Sequence, residues 1–172
     1  PVLTKKFPNR VLGFYGDLNR VEELKKFRQK VIDEWGVING IVANAARNKL
    51  EKDHQDIDKY HWFLENNLLI SIKLIEQFMS DVKQTAGSIV LIGSIAGLES
   101  IGAPAQYSLA KSGIFVYTKE LSKILGESGV RVNAVSPGNI LFKGGNWQNR
   151  IEAQPAQIEK MLVEKVPLKR FG

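Results

Sequence analysis

Short apolar runs alternate along this chain with longer stretches in which apolar residues return every third or fourth position. The first run, Val11–Tyr15, reads as a short buried strand ending at Gly16-Asp17. Asn19 followed by Glu22 has the form of a capping box. Val21, Leu24, Phe27, Val31 and Trp35 then recur at helical spacing until Gly36 closes the helix. Ile38–Ala43 is a second apolar strand, broken by Asn44-Ala45-Ala46. From about Ile57 through Val82 the pattern predicts one long helix, apolar nearly all round, so that one face meets the core and another a partner subunit. Ser88–Gly93 predicts a third strand leading into a loop rich in Gly and Ala. The helix after it carries a core stripe of Ala110, Ile114, Tyr117, Leu121 and Ile124. Val130–Val135 is the fourth strand, stopped by Pro137-Gly138.

Strands alternating with helices predict an α/β fold with a doubly wound parallel sheet covered on both faces. Ligands in such folds bind beyond the strands' carboxyl ends. Asn44, Ser94 and Pro137-Gly138 all fall at such ends. The 172 residues are enough for a single domain with a substantial core, and 44% apolar with 24% charged residues is ordinary for a globular chain. No apolar run reaches the length of a membrane span, so a membrane partner is not expected. The absence of Cys removes disulfides and thiolate metal sites and fits a cytoplasmic protein. The net charge of +6 raises nucleic acid as a partner, but the 24 basic residues are interspersed with 18 acidic ones and form no basic block.

Candidate chemistry centres on Tyr107 and Lys111, which lie one helical turn apart and so share a helix face. Ser94 closes the third strand, and Asn67 lies inside the long helix. This Asn, Ser, Tyr, Lys set resembles the active site of the short-chain dehydrogenase/reductase family, which implies a Rossmann-type sheet and metal-free hydride transfer between NAD or NADP and an alcohol/carbonyl pair. The resemblance implies Tyr107 as acid/base, Lys111 as holder of the nicotinamide ribose, Ser94 as partner of the substrate oxygen and Asn67 as holder of a proton-relay water. A tyrosine, with a pKa of about 10, suits acid/base work only when shifted toward working pH, and a neighbouring Lys111 ammonium favours that shift.

Further stretches resemble the same family's nucleotide contacts. Asp17-Leu18 matches its adenine-contacting acid and neighbour, Asn44-Ala45-Ala46 its Asn-Ala-Gly signature, and Pro137-Gly138-Asn139-Ile140 the loop that touches the carboxamide. Ala46 replaces the usual Gly, and Phe142 stands where a Thr commonly bonds the cofactor. A Gly-rich strand-to-helix turn that would cradle the pyrophosphate is missing from these residues. The fold is therefore expected to be incomplete at the N-terminus, and at the C-terminus as well, with the sequence forming part of a longer protein. A naturally truncated, non-catalytic scaffold or dimerisation module is the alternative. A homodimer or homotetramer is expected, as related enzymes commonly pair through these helices. Other constellations carry less: two His offer little to a Ser-His-Asp hydrolase, and Asp53, Asp56 and Asp58 lack the spacing of a Ca²⁺ loop. Trp147, beside Gly144-Gly145, reads as a residue lining the substrate pocket.

Overall fold

The computed structural model describes residues 2–7, 9–47 and 56–172. In chain order the elements are α1 (Val2–Lys6), α2 (Val21–Trp35), β1 (Gly40–Ala43), α3 (Ile57–Leu64), a π turn (Glu65–Leu69) and α4 (Ile70–Gln84). There follow β2 (Ser88–Ile92), a 3-10 turn (Ile95–Gly97), α5 (Ala105–Gly126), β3 (Arg131–Val135), α6 (Asn146–Ala153) and α7 (Pro155–Lys165). Contacts divide the chain into two compact units, Pro1–Val135 and Ser136–Gly172.

The first unit is built on a parallel sheet in the order β1-β2-β3, with Ile41 beside Ile89 and Ile89 beside Val132. Successive side chains of a strand leave on opposite faces. One face accordingly buries Ile41, Ala43, Ile89, Leu91 and Val132. These meet Leu24 and Val31 of α2, Leu74, Ile75, Phe78 and Val82 of α4, and Ile114, Leu121 and Leu125 of α5. Each of the larger side chains contributes about 1.5–3 kcal/mol by leaving water. On alternate positions Val42 and Val135 are exposed. Two polar ties reinforce the helix layer. Arg28 donates to both Asp81 oxygens, at 2.6 and 2.5 Å, joining α2 to α4, and Thr85 Oγ1 donates to Ile38 O at 2.7 Å. Among the described residues, no helix is long and apolar enough to cross a membrane.

The family of elements matches the expected Rossmann-like pattern, with four local corrections. Val11–Tyr15 joins no ladder. Its Phe14 ring finds cover by stacking on Phe27 at 5.1 Å, Lys30 Nζ donates to Gly13 O at 3.0 Å, and Tyr15 is fully exposed. An apolar run specifies a buried surface but not a backbone partner. The capping box at Asn19 does not form either: Arg20 holds the N-cap position, Glu22 pairs with Lys25, and the Asn19 side chain reaches Asn66. The long helix starts as expected, with Asp56 Oδ1 accepting from Asp58 N at 2.9 Å, but the π turn interrupts it at Glu65–Leu69. On α5 the core stripe passes through Ala110, Ile114, Thr118, Leu121 and Leu125, leaving Ile124 outside at 65% exposure. A step of four from Leu121 follows the 3.6-residue turn on this face better than a step of three.

The second unit contains α6 and α7. Gly172 N donates to Asn139 O at 3.0 Å, and Gly172 O accepts from Leu141 N at 3.1 Å, so the last residue is laced to the segment ahead of α6.

Candidate active site

Residues at the carboxyl end of β2 and the start of α5 converge because the chain permits an unusually close approach there. Ser94 is extended (φ −166°, ψ 151°), and its Oγ accepts from Ala96 N at 3.2 Å, capping the 3-10 turn. That turn ends on Gly97. A Cβ on Gly97 would lie 2.6 Å from the Lys111 carbonyl carbon, 2.7 Å from Ser112 N and 2.8 Å from Lys111 O. The turn bearing Ser94 is therefore pressed backbone to backbone on the helix bearing Tyr107 and Lys111. This is a place where only the lack of a side chain allows contact.

Helix α5 packs on three elements near its start: α3, the π turn and the 3-10 turn. Tyr107 is half-buried, its ring edge-on to Phe63 of α3 at 6.2 Å between centroids. One turn on, Lys111 is only 4% exposed. Its Nζ lies 5.8 Å from the Tyr107 ring centre and donates to Ile92 O, the last carbonyl of β2, at 2.9 Å. Burial lowers the Lys111 pKa from its ordinary 10.5 to about 8. The ammonium can thus exchange its proton close to neutral pH.

Asn67 sits inside the π turn and is almost fully buried. Its Nδ2 donates to Arg47 O at 2.8 Å and to Phe63 O at 3.2 Å, while Oδ1 is buried without a partner among the described residues. Arg47 N in turn donates to Asn66 O at 3.2 Å. Both main-chain groups of Arg47 are thereby held by consecutive residues of one turn. This anchors the segment Asn44-Ala45-Ala46 that leaves β1, in which Asn44 and Ala46 are exposed and Ala45 is half-buried. Asp17 is exposed and its Oδ1 accepts from Asn19 N at 3.0 Å; Leu18 packs against the core.

Within the first unit the structure places Tyr107 and Lys111 in the first turns of α5, Ser94 at the head of the turn pressed against that helix, and Asn67 in the π turn that also packs on it. Pro137, Gly138 and Ile140 belong to the second, where Trp147 packs on Phe171 at 5.3 Å and carries Arg150 over its ring at 5.0 Å. Asp56 and Asp58 start α3, and Asp53 lies outside the described residues. Sequence reasoning missed Gly97, Phe63, the π-turn residue Asn66 and Lys73, and read Asn19 as a helix cap rather than as a partner of Asn66. The pair Ala96-Gly97 after Ser94 was the available signal for close packing.

A family model described as short chain dehydrogenase matches residues 3–152. An isoepoxydon dehydrogenase of Penicillium expansum is 31% identical over 169 residues, covering 95% of this chain and 62% of that protein. A cyclohexanol dehydrogenase of a Rhodococcus species is 31% identical over 176 residues, again covering 95% of this chain and 62% of the relative. A crystal structure of a dehydrogenase superposes with a TM-score of 0.83 at 27% identity, over 92% of this chain and 62% of the other. The chain thus spans 62% of the length of these proteins.

Two outcomes test the geometry. Gly97→Ala is expected to destabilise the protein by about 1–3 kcal/mol, because the atoms its Cβ meets are backbone and cannot rotate away. Gly126→Ala, at the end of α5, whose Cβ would meet nothing, is the control and should leave stability unchanged or slightly raised in the same urea titration. Lys111 gives a pH signature. Its folded-state pKa is below the unfolded value, so the cost of its charge is fully present below about pH 8 and fades as pH climbs toward 10.5. Relative to Lys111→Met, the stability of the wild type is expected to rise across that window by at most roughly 3 kcal/mol. A difference that stays flat between urea midpoints on either side of it would show that Lys111 is not buried as a cation.

Proposed function

As the chain belongs to the short-chain dehydrogenase family, we propose that it transfers hydride reversibly between NAD or NADP and an alcohol/carbonyl pair of a small molecule. The observation that carries this reading is the buried Lys111 one turn from the half-buried Tyr107, with the Ser94 turn pinned to the same helix by Gly97. A catalytic tyrosine needs a fixed partner for the substrate oxygen and a nearby proton exchanger, and these three residues supply both.

The residues also fit a dinucleotide. Beyond the carboxyl end of β1 the exposed Asn44 and Ala46 leave backbone open to a ligand, and Lys111 spends one of its three donors on Ile92 O. Asn44, Ala45 and Ala46 would hold the cofactor along this backbone, Lys111 its nicotinamide ribose, and Asp17 with Leu18 its adenine end. When bound, the nicotinamide supplies or accepts the hydride.

The chain's own residues would manage the proton. Tyr107 Oη gives it to the nascent alkoxide in reduction and takes it in oxidation. Ser94 Oγ donates to the same substrate oxygen and fixes its place. Lys111 Nζ sets its charge beside the phenol and passes the proton onward. The buried Oδ1 of Asn67, without a partner among the described residues, suits an ordered water, which would link Lys111 to solvent. The absence of Cys from the sequence supports a cytoplasmic setting.

The outer faces of two helices support assembly as a homodimer or homotetramer. Leu109 and Val116 of α5 are 50% and 66% exposed, and Leu69 beside α4 is 39% exposed. Packing this strip against a symmetry mate would remove it from water.

In the full-length protein, Tyr107→Phe deletes only the hydroxyl. Turnover is expected to fall roughly 10²–10⁴-fold with cofactor affinity retained. A variant that keeps most of its activity would end the mechanism. Leu109→Glu or Leu69→Glu should dissociate the oligomer, and sedimentation of the wild type as a monomer at micromolar concentration would exclude the interface.

A further inference from the structure

Around the π turn lies a set of polar contacts that the proposed reaction does not use. Asn19 is its hub. Its backbone N–H donates to Asp17 Oδ1 at 3.0 Å, its Nδ2 donates to Asn66 Oδ1 at 3.4 Å, and its carbonyl accepts from Lys73 Nζ at 3.2 Å. Lys73 is held in turn by an ion pair with Glu65. Asn66, 5% exposed, also donates from Nδ2 to Trp62 O at 2.9 Å and accepts on its carbonyl from Arg47 N. One residue of the π turn therefore grips the turn at Asp17 with its side chain and the segment after β1 with its main chain.

We propose that Asn19, Asn66 and Lys73 form a positioning clasp that fixes the Asp17-Leu18 turn for the adenylate half of the cofactor; this rests on the reading of Asp17 and Leu18 given above. Three observations carry the inference. The contacts join elements far apart in sequence, so local helix formation does not require them. They converge on the residue that orients the Asp17 carboxylate, since Asn19 N donates to it. Finally, they leave from the same turn that holds Asn67, so the adenine-facing turn and the proton-relay residue share one support. Without the clasp, the turn at 17–20 keeps its link to α2 but loses its ties to Asn66 and Lys73. The carboxylate then samples more orientations, and ordering them is charged against binding.

None of the clasp residues touches reacting atoms in this scheme, so they are positioning residues and the test reads binding rather than turnover. The full-length protein is titrated with NADH or NADPH by nicotinamide fluorescence, with 5′-AMP as competitor and with nicotinamide mononucleotide as a probe of the other half. Asn66→Leu and Lys73→Met are each expected to weaken the dinucleotide and 5′-AMP about tenfold, the scale of one or two lost hydrogen bonds. Affinity for nicotinamide mononucleotide should be unchanged. Where Asn66→Leu does not fold, Lys73→Met decides, because Lys73 is partly exposed and lies outside the apolar core. Equal weakening of 5′-AMP and nicotinamide mononucleotide would overturn the clasp in favour of a general structural role, and unchanged 5′-AMP affinity in Lys73→Met would overturn it outright. A wild type that binds dinucleotide but not 5′-AMP removes the adenine assignment and the clasp with it. A wild type that binds no nicotinamide cofactor removes the proposed function itself.

Discussion

The backbone of Gly97 rests directly on the backbone of Lys111 and Ser112, and the geometry of the site follows from that contact. It brings the end of β2 and the first turns of α5 within reach of each other, so that Lys111 can cap the last carbonyl of the strand. With the turn pressed down, Lys111 is shut away from water and becomes a cation whose proton is loosely held. Ser94, fixed as the N-cap of the same turn, inherits its position from the same contact. Any side chain at position 97 would separate these groups together.

The π turn supplies the second frame. A single extra residue in a helix disturbs the regular ladder and leaves main-chain groups available for other partners, which is why such turns cluster at functional sites. Here Asn66 O serves Arg47, and the Asn67 amide serves Arg47 O and Phe63 O. The helix thus holds the loop after β1 with its backbone while projecting two buried amides in different directions.

Much of this was legible in the sequence because it depends on local periodicity. Tyr107 and Lys111 one turn apart, Ser94 at the end of an apolar run and Gly36 at a helix end are each signalled within a few residues. What was not legible depends on tertiary partners. Val11–Tyr15 is apolar enough for a strand, but a strand also needs a neighbouring backbone, and Phe14 is satisfied by Phe27 instead. Asn19 and Glu22 have the spacing of a capping box, yet Asn66 and Lys25 compete successfully for them. A π turn has no compositional mark in Glu65–Leu69, and the pair Ala96-Gly97 signals close packing without naming α5 as the element that packs there.

Burial of Lys111 has a consequence for anyone who would engineer this fold. A charge held under a tyrosine costs stability that a well-packed apolar side chain would return, as replacements of buried ions often do. Libraries sorted for heat resistance will therefore drift toward methionine or leucine at this position and, under the role proposed for Lys111, accumulate robust but inert proteins. Under that proposal, screens on this scaffold need a functional gate beside the thermal one, because resilience and chemistry would compete for the same side chain.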